Sequence, residues 1–174
     1  SCKKEIKSNI DVSTIEINVE VDRFEQKFYN TTAASLLELK NKYPYLFPAH
    51  NSDSIWLQKI NDEDEIELFK ISQKVFGDFN KETLEIEDLF KHIKYYHKDF
   101  KEPKIITLIT DLDYESKVIY SDSLLFVSLD MYLGKEQPIY LDFPAYISQN
   151  FDKSQLVVDI ANEISKKYFI SSRK

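Results

Sequence analysis

Glycine is almost absent from this 174-residue chain, which has only Gly77 and Gly134. Loops that cradle phosphate through backbone N–H groups need several glycines close together. Neither the dinucleotide fingerprint nor the P-loop can therefore be written here. The G-x-S-x-G elbow of serine hydrolases is missing as well. Cysteine occurs once, which excludes an internal disulfide framework and a thiolate zinc cluster. No apolar run approaches the roughly 20 residues of a membrane span. Basic residues are outnumbered, with 23 Lys and Arg against 30 Asp and Glu for a net charge of −7. Nucleic acid is a poor partner for such a chain, because phosphate neutralisation requires a basic face.

The 43% hydrophobic and 14% aromatic content is that of a folded protein. At this length one domain is expected, burying roughly 70% of the unfolded surface. Residues 1–11 read as a polar tether, and 12–174 as one α+β domain. Ile15, Ile17, Val19 and Val21 alternate with Glu16, Asn18 and Glu20, the period of a half-buried strand. Helices are expected over 22–29, from a Thr31 or Thr32 cap to Tyr43, over 52–60, from Asp62 to Gly77, and from an Asn80 cap to about Tyr96. Tyr43-Pro44-Tyr45-Leu46-Phe47-Pro48 reads as a packed aromatic connector, with a binding lip as the alternative. Beyond Pro103 the period changes. Strands are expected at 105–110, 117–120 and 124–129, with the first and last as neighbours in one sheet joined by a meander through 117–120. A short helix at 144–149 and a last helix from Asp152 or Ser154 to Phe169 close the domain. Helices followed by strands and then helices predict several helices packed on a small three- to four-stranded sheet.

Few residues are arranged for chemistry. His92 and His97 are five apart, and a helical zinc pair needs four or three, so no metal site is expected on them. Asp111-Leu112-Asp113-Tyr114-Glu115 opens like a calcium loop. It lacks the glycine at the sixth position and places Asp122 where a bidentate Glu belongs, and an acidic turn explains it better. Ile160-Ala161-Asn162-Glu163-Ile164-Ser165-Lys166 has the outline of a zinc-peptidase helix, with Asn162 and Lys166 in the histidine places and Glu163 in the general-base place. Asparagine is a poor zinc ligand and a lysine cation has no free lone pair, so the set as written cannot hold catalytic zinc. The plain alternative is the solvated face of an amphipathic helix through Asp159, Asn162, Glu163 and Lys166. No cofactor is expected.

The lone cysteine is Cys2, after Ser1 and before Lys3, Lys4 and Glu5. A cysteine there resembles a bacterial lipoprotein cut just after its signal peptide, whose thiol carries diacylglycerol. Two or three acyl chains in one place give stable anchoring, at roughly 0.8 kcal/mol per buried methylene. An incidental cysteine is the alternative.

The stretches Glu87–Tyr96, Lys104–Ile109, Val118–Leu125 and Ser128-Leu129-Asp130-Met131-Tyr132-Leu133-Gly134-Lys135-Glu136 resemble the gliding-motility lipoprotein family GldB of Bacteroidetes. Val21–Glu25 and Tyr43–Pro48 match its N-terminal part. The resemblance implies an envelope lipoprotein, periplasm-facing or outer-membrane-associated. It also implies a structural or interaction role in gliding and a link to the type 9 secretion machinery. Its expected partners are the membrane, through Cys2, and other envelope or gliding-machinery proteins. The family is related to zinc-dependent proteases, which would make the fold a degenerate, non-catalytic zincin-like scaffold. Family members run past residue 174 into a further helical half, so the domain is expected to be the N-terminal half of a longer fold. The alternatives are a zinc-dependent metallopeptidase with unusual ligands, and a ligand-binding lipoprotein whose 43–48 and 132–140 loops line a pocket.

Overall fold

The computed structural model describes residues 10–170. Cys2, and the tether up to Asn9, lie outside the described residues. The described chain follows an α+β plan with helices on both faces of one four-stranded sheet. Strand β1 (Val21–Asp22) is followed by α1 (Phe24–Tyr29), α2 (Leu36–Lys42), α3 (Asp53–Ile60), α4 (Glu63–Phe76) and α5 (Asn80–Tyr96). Then come β2 (Lys104–Leu108), β3 (Val118–Ser121), β4 (Leu124–Ser128), α6 (Ala145–Ser148) and α7 (Lys153–Ile170).

The sheet order is β1-β2-β4-β3, with β1, β2 and β4 parallel and β3 antiparallel to β4. Strands β2 and β4 are neighbours, as expected, but the meander is corrected. The β3–β4 hairpin folds back so that β4 lies between β2 and β3, and β2 to β4 is a parallel connection. The hairpin turn, Asp122-Ser123, allows this, with Asp122 in the left-handed region at φ 52°. The inserted strand is the more apolar one. Leu125 and Val127 are fully buried, whereas Ile119 of β3 is exposed on the sheet edge. Burial thus decides which strand takes the centre.

Alternate β2 residues feed opposite layers. Ile105 enters the larger core with Leu125, Val127, Phe90, Leu156 and Ile160. Ile106 enters the smaller one with Phe24, Phe28, Leu36, Tyr43 and Phe47.

The long first strand is also corrected. Ile15, Ile17, Val19 and Val21 are half-buried and Glu16, Asn18 and Glu20 exposed, so the period of two is present. Only Val21 and Asp22 pair in the sheet, because β2 begins at Lys104, just after Pro103, and offers no ladder upstream. There the Asn18 N–H donates to the Glu102 carboxylate at 3.3 Å.

Two caps differ from expectation. Helix α2 starts after Ser35, while Thr32 sits in the preceding turn, accepting the Ser35 N–H at 3.1 Å. Asn80 is the first residue of α5, and its N-cap is Phe79, left-handed at φ 64°. The fully buried Phe79 ring, 5.7 Å from that of Phe76, holds a conformation its backbone disfavours. Asp62 caps α4 as its position suggests, accepting from the Asp64 and Glu65 N–H groups at 3.0 Å.

Candidate functional site

Helix α7 buries Leu156, Ile160 and Ile164, spaced four apart, in the larger core. That orientation turns Asp159, Asn162, Glu163 and Lys166 outward over the segment Tyr114–Val118, which ends in β3. Together these two elements line an open cleft of about 530 Å³. The helical face expected from the sequence is therefore one wall of a groove. The opposite wall, with Tyr114, Glu115, Lys117 and Val118, was not foreseen.

Several polar groups in and beside the cleft are engaged with one another. Lys166 Nζ donates to Glu163 Oε2 at 2.8 Å. Asp159 Oδ2 accepts from Lys117 Nζ at 2.8 Å and from Tyr132 Oη–H at 2.7 Å, while Gln155 donates to its Oδ1 at 3.1 Å. The Lys117 ammonium also lies 5.6 Å from the centre of the Tyr132 ring. Burial, reinforced by the adjacent Asp159 charge and hydrogen bond, pushes the Tyr132 phenol above its usual range. It stays a donor at every physiological pH. Asn162 is exposed beside this pair. The spacing of a metal pair survives, then, with an amide and an ammonium in the ligand places and the ammonium on the adjacent carboxylate. Among the described residues no His, Cys, Asp and Glu side chains gather in threes able to hold a metal ion. His92 and His97 are both partly exposed, with His92 Nδ1 2.7 Å from the Asp88 carbonyl.

A second concentration of polar groups lies where the parallel strands end, and nothing in the sequence singled it out. Asp22, the last residue of β1, accepts from Lys27 Nζ and Tyr43 Oη–H, both at 2.7 Å. Burial pushes its carboxyl up, but those two bonds and the Lys27 and Lys104 charges outweigh it and leave it below the usual range. The Glu25 side chain is fully buried and accepts from Arg23 Nε at 2.8 Å, from Gln73 Nε2 at 3.3 Å and from the Thr107 hydroxyl. Glu65 accepts from Lys59 Nζ at 2.6 Å and Tyr29 Oη–H at 2.8 Å. Beyond β4, the fully buried Asp130 accepts from the Leu112 N–H at 2.7 Å and the Thr110 N–H at 3.1 Å. Burial pushes its carboxyl up to about 6, against the pull of those backbone bonds. Asp130 thereby fixes the acidic turn after β2, where Asp111 and Leu112 both have positive φ, 56° and 61°. The turn binds a carboxylate of its own chain through two backbone N–H groups.

The two loops that the alternative ligand-binding reading would bring to one pocket lie apart. Tyr132, Leu133 and Tyr140 are buried in the larger core, while Leu46 and Phe47 of the 43–48 connector belong to the smaller one. No described helix is long and apolar enough to cross a membrane.

Compared with known families, the chain matches a lipoprotein family model described as gliding motility protein GldB over residues 5–174. No curated protein and no solved structure matches it.

Proposed function

The chain belongs to the GldB family of gliding-motility lipoproteins, whose model covers it from residue 5 to residue 174, and we propose that it acts there as a non-catalytic scaffold. Family membership carries the role in gliding and the lipid-anchored place in the envelope. In the proposed arrangement Cys2 Sγ carries the anchor, the folded domain faces the periplasm or the outer membrane, and its partners are envelope proteins of the gliding and type 9 secretion machinery.

One observation supports the non-catalytic reading above others. The Lys166 ammonium lies 2.8 Å from the Glu163 carboxylate on the one helix that has the outline of a zinc-peptidase motif. Freeing a lysine lone pair for a metal means deprotonating a group whose reference pKa is about 10.4, a cost of several kcal/mol at neutral pH. Glu163, held by that ammonium, then has no metal-bound water to activate. Asp159 is likewise occupied by Lys117 and Tyr132. A cleft in which Lys166 is paired with Glu163 and Lys117 with Asp159 suits a surface that positions other proteins.

Crosslinking in native membranes, followed by identification of the captured chains, tests the scaffold reading. Capture of envelope components that is unchanged by Glu163→Gln is the expected result. Stoichiometric zinc in protein purified without chelator, or peptidase activity lost specifically in Glu163→Gln, overturns it.

A further inference from the structure

The surface of α5 changes character along its length. Its first half exposes Glu85 and Asp88, and its last turn exposes Tyr95 and Tyr96, by 41% and 65%. The two rings meet edge-on at 5.1 Å. The Lys98 ammonium lies 5.3 Å from the centre of the Tyr95 ring. The loop after the helix folds back on it, with Lys94 Nζ donating to the Phe100 carbonyl at 2.7 Å, which keeps the exposed Lys101 at the same end. From residue 91 to residue 101 the chain holds four lysines, Lys91, Lys94, Lys98 and Lys101, against one carboxylate, Asp99, in a molecule of net charge −7. Lys91 is paired with Glu87 at 2.8 Å, whereas neither Lys98 nor Lys101 has an ion-pair partner among the described residues. Residues 10–13 run along the same helix and line an open cleft with Glu85, Asp88, Leu89 and His92, one turn before Tyr96.

We infer that this end of α5 rests on an anionic phospholipid surface, with Tyr95 and Tyr96 at headgroup depth and Lys98 and Lys101 on lipid phosphates. The inference rests on the lipid anchor at Cys2 proposed above. Ile10 is eight residues from Cys2, a reach of at most about 29 Å when fully extended. An anchor there holds α5 beside the bilayer. Tyrosine suits the interface because its ring is apolar and its hydroxyl stays wet. Lysine lays its stem along such rings while its ammonium reaches a phosphate. Lysines complement a helix C-terminus in any protein, but that leaves two adjacent exposed rings unaccounted for. The negative charge of the rest of the molecule is screened beyond about 8 Å at physiological ionic strength, so the bilayer meets the local charge. Each lysine at the surface adds a modest attraction. The tether makes the contact intramolecular, so a weak contact is populated. Glu85 and Asp88 are repelled by the same lipids, which leaves the last turn, and not the whole helix, in contact.

Cys2 is the only thiol, so the full chain can be coupled through it to a maleimide lipid in preformed vesicles. Attachment then does not depend on lipidation in the cell, and failure of the contact is distinct from failure of the anchor. Amines are acetylated with a membrane-impermeant reagent and each lysine is read by mass spectrometry. On vesicles of phosphatidylcholine and phosphatidylglycerol in equal parts, Lys98 and Lys101 are expected to react about fivefold more slowly than on phosphatidylcholine alone, the weight of one lysine at an anionic surface. Lys81, exposed at the far end of α5, should react equally on both. Tyr95→Ser with Tyr96→Ser, both at exposed positions, should remove most of the protection. Equal reaction of Lys98 and Lys101 on the two vesicle types, slowing that Lys81 shares, or protection that survives the loss of both rings overturns the inference.

Discussion

Lys166 Nζ sits 2.8 Å from Glu163 Oε2, one turn along α7, where a zinc peptidase would place a histidine and its catalytic glutamate. The pair is open to solvent, with the Lys166 side chain 66% exposed. Exposed helical pairs of this kind contribute less than about 1 kcal/mol. Glu163→Gln should therefore shift the urea midpoint only slightly and leave the unfolding slope unchanged. A loss well above 1 kcal/mol would show that Glu163 does more than cover a helix face.

The geometry of a metal pair can be tested by restoring its chemistry. Residues 162 and 166 are one turn apart on one face of α7. Asn162→His together with Lys166→His should create an i, i+4 imidazole pair that takes up one zinc ion. The parent chain should take up none under the same conditions. Calorimetric titration with zinc reads the difference, and equal uptake by both chains would contradict the reading.

Tyr132 is fully buried and its hydroxyl donates to Asp159 at 2.7 Å. Tyr132→Phe removes that donor and leaves Lys117 and Gln155 on the carboxylate. The expected cost is about 1–2 kcal/mol, since the acceptor carries charge. Chemical denaturation measures it.

Stability should change with pH through Asp130. Its folded pKa of about 6 lies above the ordinary value of 3.8. Between those two values the folded chain binds a proton that the unfolded chain has released. Its contribution to stability is therefore largest below about pH 4, falls as the pH rises towards 6, and is flat above about pH 7. At 1.36 kcal/mol per pH unit the span is roughly 3 kcal/mol. Asp22 acts in the opposite sense. Its lowered pKa contributes stability above the ordinary 3.8 that is lost as pH falls below it. Urea midpoints should accordingly rise from pH 7 to pH 5 in the parent and lose that component in Asp130→Asn. The same slope in both would contradict this assignment.

Gly77 ends α4 at φ 54° and ψ −122°. A Cβ there would meet nothing within 4 Å, so Gly77→Ala pays only backbone strain. About 1–3 kcal/mol of destabilisation is expected in thermal or urea unfolding.

Periodicity made the helices legible. Leu156, Ile160 and Ile164 at spacing four announce α7, and Asp62 with Gly77 marks both ends of α4. Strand existence was readable in the same way, but strand order was not. It depends on a two-residue turn at Asp122-Ser123 that folds β4 inward, and on the relative burial of Ile119 and Leu125. The 12–20 segment shows the limit of the pattern, because alternation reports which side chains are buried and not whether a partner strand exists. For the site, the chain spacing placed Asn162, Glu163 and Lys166 on one face. It could not show the Tyr114–Val118 wall, which reaches α7 only through the hairpin. Glu25 and Glu65 look like solvent-facing helix acids until Arg23, Thr107, Tyr29 and Lys59 close over them.

Gliding itself tests the central claim most directly. A gliding strain lacking its own copy should be supplied with the full-length protein carrying Glu163→Gln, and colony spreading measured at matched protein level. A scaffold whose α7 face performs no catalysis predicts spreading equal to that of the unaltered protein. Folded, membrane-associated Glu163→Gln protein that fails to restore spreading would contradict it.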